Sequence, residues 1–144
     1  MADLQMTDDE RQQFLADLHV GVLGIERADG PPLVVPVWYD YNAGGDVEVY
    51  TGADSLKGRL AAAAARGSLC AQTESLPYKY VTVEGPVMLE PLVEADLEKL
   101  SAMAIRYLGE ELGAGYAAGQ SIEGQVRLRL WPQRWLSVDY GRQF

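Results

Sequence analysis

Ser55, Lys57 and Arg59 stand at alternate positions in Asp54-Ser55-Leu56-Lys57-Gly58-Arg59, a stretch that opens a predicted helix. Cations in a first helical turn meet free backbone amides and the positive end of the helix dipole, which disfavours each of them by roughly a few tenths of a kcal/mol. Two arrangements relieve that conflict. A phosphate held by Ser55, Lys57, Arg59 and the amides would turn it into a charge-assisted anion site, whereas a neighbouring carboxylate such as Asp54 would leave an ordinary surface cluster. A second set is aromatic. Trp38 and Tyr39 on a predicted strand offer rigid faces for a planar heterocycle, or simply core and interface packing. Pro36 just before them cannot donate a ladder hydrogen bond, which marks an edge, a bulge or an opening toward a ligand. The glycine-rich stretch 113–124 reads as a mobile loop or a lid over substrate. Arg127 and Arg129 read either as an extended basic lining or as a solvated strand face.

Side-chain catalysis has little to work with. His19 has no Ser, Cys or carboxylate at a recognisable motif spacing, and Cys70 sits in an apolar strand pattern as a small packing residue. One Cys and one His exclude an intrachain disulfide and the common Cys/His zinc sites. A chain without obvious nucleophiles and bases can still be an oxidoreductase when a bound cofactor carries the hydride chemistry and the protein supplies position, a stacking surface and hydrogen bonds.

The elements that carry these residues fit one domain, residues 1–144, with 48% hydrophobic and 23% charged residues. The formal net charge of −9 argues against nucleic acid or an anionic membrane as partner and requires any anionic ligand to be held locally. The first residues lack a signal-peptide pattern and no apolar run is long enough to span a bilayer, so a cytoplasmic location is expected.

Thr7-Asp8-Asp9-Glu10 has the form of a capping box and predicts a helix over residues 7–18. Strands are predicted at 20–25 and 33–41 around the turn at 28–31, at 46–51, at 68–73 and at 78–90 with a bend at Gly85-Pro86. Alanine propensity predicts a short helix from Asp54 or Ser55 to Arg66, stopped by Gly67. A single amphipathic helix is expected over 94–112, followed by the glycine-rich loop. A sixth strand, from Val126 through Tyr140 with a possible break at Pro132, closes the chain. Six antiparallel strands with few helices, and no phosphate-binding glycine fingerprint, predict a mainly β (α+β) small barrel rather than a doubly wound sheet.

Taken together, the motifs resemble the split β-barrel flavin and deazaflavin proteins related to pyridoxamine 5′-phosphate oxidase. The likeness rests on Tyr50-Thr51 followed by Ser55-Leu56-Lys57-Gly58-Arg59, and on Gly21-Val-Leu-Gly24, Asp29-Gly30-Pro31, Pro36-Val-Trp-Tyr39, Val83-Glu-Gly85 and Arg134-Trp135 with Asp139. It spans residues 7–140. The resemblance implies a six-stranded antiparallel split β-barrel that forms a homodimer, with cofactor sites shared at the interface. It implies a phosphate site at Ser55, Lys57 and Arg59, and a ring site flanked by Pro36, Val37, Trp38, Tyr39, Tyr50 and Thr51. Tyr78, Tyr80, Trp135 and Asp139 would reach the site across the dimer. The short chain and the Lys57-x-Arg59 and Arg134-Trp135 motifs resemble the deazaflavin branch. The implied function is an F420-dependent oxidoreductase passing hydride between cofactor and a small organic substrate. The alternatives are an FMN enzyme of the same fold and a non-enzymatic flavin, deazaflavin or haem binder. Without the long N-terminal extension and the Arg-x-His motif of true pyridoxamine phosphate oxidases, vitamin B6 oxidation is not expected.

Overall fold

The computed structural model describes residues 3–143, which form seven antiparallel strands and four α-helices. One half of the barrel has the order β2-β1-β4-β5-β7, from β1 (Gly21–Ile25), β2 (Leu33–Val37), β4 (Arg66–Gln72), the first part of β5 (Lys79–Pro91) and β7 (Arg134–Asp139). The other half has the order β5-β6-β3, from the second part of β5, β6 (Gln125–Leu130) and β3 (Val47–Gly52). β5 therefore changes partners along its length, pairing with β4 and β7 up to Pro86 and with β6 from Val87 onward. A bridge between Asp40 and Glu48 brings the chain after β2 against β3.

The expected sixth strand is two strands, β6 and β7, each in a different half. Between them the chain wraps over the bend in β5: the Trp131 amide donates to the Pro86 carbonyl at 3.1 Å and the Gln133 amide to the Glu84 carbonyl at 2.9 Å. A Cβ at Gly85 would stand 1.7 Å from the Trp131 carbonyl oxygen, so this crossing requires glycine.

Strand alternation sets the core. Leu23, Ile25, Val47, Val49, Leu69, Ala71, Val81, Val83, Leu128 and Leu130 point inward and are essentially solvent-free. Each large aliphatic side chain so buried contributes about 1.5–3 kcal/mol. Helix α1 (Asp8–Ala16) starts with the expected capping box, in which the Glu10 amide donates to Thr7 Oγ1 and the Thr7 amide to Glu10 Oε1. It inserts Phe14 and Leu15 into the core.

Three expectations about helices change. Helix α2 (Leu56–Ala63) is capped by Ser55 and ends at Ala64, while Gly67 lies within β4. The helix expected over 94–112 is a 3-10 turn at Glu94–Asp96, then α3 (Leu97–Leu108), broken by Gly109 with φ +87°. The residues that follow are helical too: α4 covers Glu110–Ala118. A Cβ at Gly113 would lie 2.5 Å from Ile105 Cα, so this glycine lets α4 pack backbone-close on α3 rather than loosening the chain. No helix of the described residues is long and apolar enough to cross a membrane.

Candidate functional site

The end of β3 and the start of α2 are tied together by one hydroxyl. Ser55 Oγ accepts the Gly58 amide at 3.0 Å, donates to the Gly52 carbonyl at 2.7 Å and lies 3.0 Å from Thr51 Oγ1. These contacts use the hydroxyl as a helix cap, so the expected direct hold of Ser55 on a phosphate would require breaking the cap. Thr51 is buried behind it. Gly58 is needed for the approach of α2 to β3, since a Cβ there would meet the Gly52 carbonyl oxygen at 2.3 Å.

Lys57 and Arg59, two residues apart, leave the helix on different sides. Lys57 is half-buried and lines a groove of about 320 Å³ together with Pro36, Val37, Trp38 and Tyr50. Arg59 is exposed and outside that groove. Among the described residues no carboxylate, Asp54 included, lies within ion-pairing distance of either cation. In a chain of net charge −9, a half-buried ammonium without a counterion beside two aromatic rings is the feature that most resembles a binding site for an anion with a planar body.

Tyr39 is not part of this surface. Its side chain is fully buried and its phenol donates to the Leu15 carbonyl at 2.6 Å, with burial raising its pKa well above the ordinary tyrosine value. Alternation explains the difference: in an extended segment Trp38 and Tyr39 face opposite sides.

The β5/β7 residues lie elsewhere in the protomer. Trp135 points to the core side of its strand, meets the Tyr41 ring edge-on at 6.1 Å and has the Arg11 guanidinium 4.8 Å above it. Asp139 accepts the Gly141 amide at 2.8 Å and borders a separate cavity against α1. Tyr80 is on the outer face of the sheet, and Tyr78 is exposed just before β5. None of the four lines the Lys57 groove within one chain.

Trp38 and Tyr50 extend the site under the α3–α4 hairpin. They share a second cavity of about 90 Å³ with Met103, Tyr116, Gln120 and Gln125, and Tyr50 also borders a third, of about 360 Å³, with Asp40, Lys99 and Arg106. The Trp38 indole stacks on the Tyr107 ring at 5.1 Å with 2° between planes, and meets Tyr116 edge-on at 5.7 Å. Tyr107 and Tyr116 were not among the residues the sequence singled out. Tyr107 read as one more apolar position of the amphipathic helix, and Tyr116 fell in the stretch expected to be a loop.

Arg127 and Arg129 are neither a basic lining nor a solvated face. Arg127 is 5% exposed and pairs with Glu48 at 3.0 Å, with Glu90 at 3.4 Å and with Asp96. Arg129 pairs with Glu90 at 2.5 Å and with Asp46 at 3.3 Å. Burial works against the Arg127 charge, but its interactions with Tyr50, over whose ring the guanidinium lies, and with Asp96 outweigh that and hold its pKa above the ordinary value. The Arg127 and Arg129 charges are thus already compensated, whereas Lys57, in the groove, has no carboxylate partner among the described residues.

No family model and no curated protein matches the sequence. Solved structures do match the fold. A conserved hypothetical protein from Mycobacterium tuberculosis superposes with a TM-score of 0.81 at 22% identity, covering 99% of this chain and 91% of that one. An F420 reductase gives 0.68 at 20% identity over 87% and 94% of the two chains. A candidate pyridoxamine 5′-phosphate oxidase from Listeria innocua gives 0.69 at 15% identity over 90% and 96%. The fold is thus the split β-barrel of the pyridoxamine 5′-phosphate oxidase-like proteins, and at these identities the likeness is one of fold.

Proposed function

We propose that this chain is an oxidoreductase that binds F420 in the groove between Trp38, Tyr50 and Lys57, and passes a hydride between that cofactor and a small organic substrate. FMN is the alternative occupant. The observation that carries the reading is the uncompensated, half-buried Lys57 at the start of α2, in one groove with Pro36, Val37, Trp38 and Tyr50. Similarity in fold to an F420 reductase supports the deazaflavin.

The residues present fit such a group. Lys57 would hold the phosphate, supported by the free amides of the first α2 turn, and Arg59, on another side of the helix, would act on the anionic tail at longer range. Trp38 and Tyr50 would wall the ring system, and Pro36 leaves the strand edge without an amide competing for it. The cofactor ring supplies the hydride chemistry. Burial keeps the Tyr50 phenol above its ordinary pKa and therefore protonated, a neutral donor beside the ring site. The hairpin of α3 and α4 covers the adjoining cavity that Trp38 and Tyr50 share with Met103 and Tyr116.

The same reading makes the protein a homodimer. The outer face of β2-β1-β4-β5-β7 carries Pro36, Val22, Cys70, Thr82 and Leu136 in one register row, and Val34, Pro36 and Leu136 on that face are exposed. An uncovered apolar sheet face of this kind suits a second copy. In such a dimer Tyr78 and Tyr80, on or beside that face, would reach toward the partner's groove.

Equilibrium titration of cofactor-free protein with F420 and with FMN at fixed salt tests the assignment. Tighter binding of F420, weakened roughly ten- to hundredfold in Lys57→Ala as one charged hydrogen bond is lost, is the expected result. Tighter binding of FMN moves the function to flavin chemistry, and binding without turnover of any acceptor makes the protein a carrier or sensor. Lys57→Ala with unchanged affinity removes the site.

A further inference from the structure

Tyr107 touches the Trp38-Tyr39 pair in two ways and ties it to His19. Its phenol accepts the Tyr39 amide at 3.1 Å and donates to the His19 carbonyl at 2.6 Å, while its ring lies flat against the Trp38 indole. The pairing of β1 with β2 stops at Gly21 and Val37, so the next backbone groups need another partner. The hydroxyl of an α3 residue supplies it. Burial holds that phenol above the ordinary tyrosine pKa, which keeps its proton in place to donate. The Arg106 guanidinium, 5.9 Å from the centroid of the Tyr107 ring, adds a cation–π contact.

Tyr107 therefore holds both the backbone beside Trp38 and one face of its ring, while Tyr116 meets the indole only edge-on. A Trp in a groove wall has rotamers to choose from, and stacking on Tyr107 leaves one indole surface covered and the rest turned to the two cavities it borders. We propose that Tyr107 is the positioning residue of the groove: it sets the plane of Trp38 and through it the affinity for a planar ring. This rests on the reading of the groove as the cofactor site. Tyr107 itself lines none of the cavities that Trp38 borders, so it acts through Trp38 rather than on the ligand.

The chain has three tryptophans, and labelling with 5-fluorotryptophan gives each its own fluorine resonance, with Trp38 assigned by its loss in Trp38→Phe. Tyr107→Phe keeps the ring and removes the hydroxyl. Its expected effects, as both hydrogen bonds of the hydroxyl are lost, are a shifted, broadened Trp38 resonance with the other two in place, and affinity for F420 or FMN lower by about three- to tenfold. The salt dependence of binding should stay as in wild type, because the Lys57 contact is intact, whereas Lys57→Ala should flatten it. Tyr107→Leu, which also loses the stack, should weaken binding further, with far-ultraviolet circular dichroism reporting that each variant is folded. A folded Tyr107→Phe with an unmoved Trp38 resonance, or with wild-type affinity, overturns the proposal. Wild-type protein that binds neither cofactor overturns the reading of the groove itself, a failure visible before any variant is made.

Discussion

At the scale of single residues, the charges divide into those already answered within the chain and those left open. Arg127 is answered: three carboxylates from β3, β5 and the turn before α3 converge on it. Removing one member of a buried network strands the others, so Arg127→Met should lower stability by about 3 kcal/mol or more in urea denaturation. The Asp96 carboxyl is held below its ordinary pKa, first by the Val93 amide and then by Arg127. A lowered folded-state pKa lends stability that is complete above the unfolded carboxyl value, 3.8, and is lost as pH falls through the folded one. Asp96→Asn should therefore be less stable than wild type near neutrality, and the gap should narrow as denaturation is repeated at progressively lower pH. The sequence showed Arg127 alternating with Val126 and Leu128, which assigns a strand face. It did not show that α3 covers this face, because the carboxylates that answer the charge lie 31 to 79 residues away by chain numbering. The place of Lys57 at the start of α2 was legible for the opposite reason: it is set by the Ser55 cap two residues before it.

Elements were readable where local chemistry sets them. Thr7 and Glu10 mark the start of α1, Ser55 that of α2, and the turns at 28–31 and 42–45 separate β1, β2 and β3 in the expected places. The errors fall where a distant contact decides. Glycines in α4 read as a loop because the sequence cannot show that Gly113 faces the α3 backbone. Gly67 read as a stop because its place in the β1–β4–β5 ladder is non-local. Gly58 gives the test at this scale. The Cβ of Gly58→Ala would sit 2.3 Å from a backbone oxygen rather than a yielding side chain. The variant should lose about 1–3 kcal/mol in chemical denaturation, and α2 should shift enough to weaken whatever Lys57 binds.

For the whole molecule, the sequence indicated a split barrel and missed one strand, since Pro132 does not reveal that the chain crosses between halves there. The proposed dimer is decided at this scale. Sedimentation velocity should find a species of twice the 15.8 kDa protomer mass, and Val34→Lys combined with Leu136→Glu, on the exposed outer face, should convert it to a folded monomer. If the sites are shared, cofactor affinity should fall in that monomer even though Lys57 and Trp38 are untouched. A monomeric wild type would end the dimer reading. The partner change along β5 bears on how the molecule comes apart. Since that one strand belongs to both sheets, neither half can melt while the other keeps its full ladder, and the barrel has no natural plane along which to open by degrees. Its backbone amides should belong to the last cooperative unit to exchange with solvent, leaving the slow breathing of the protein to the helical hairpin beside Trp38.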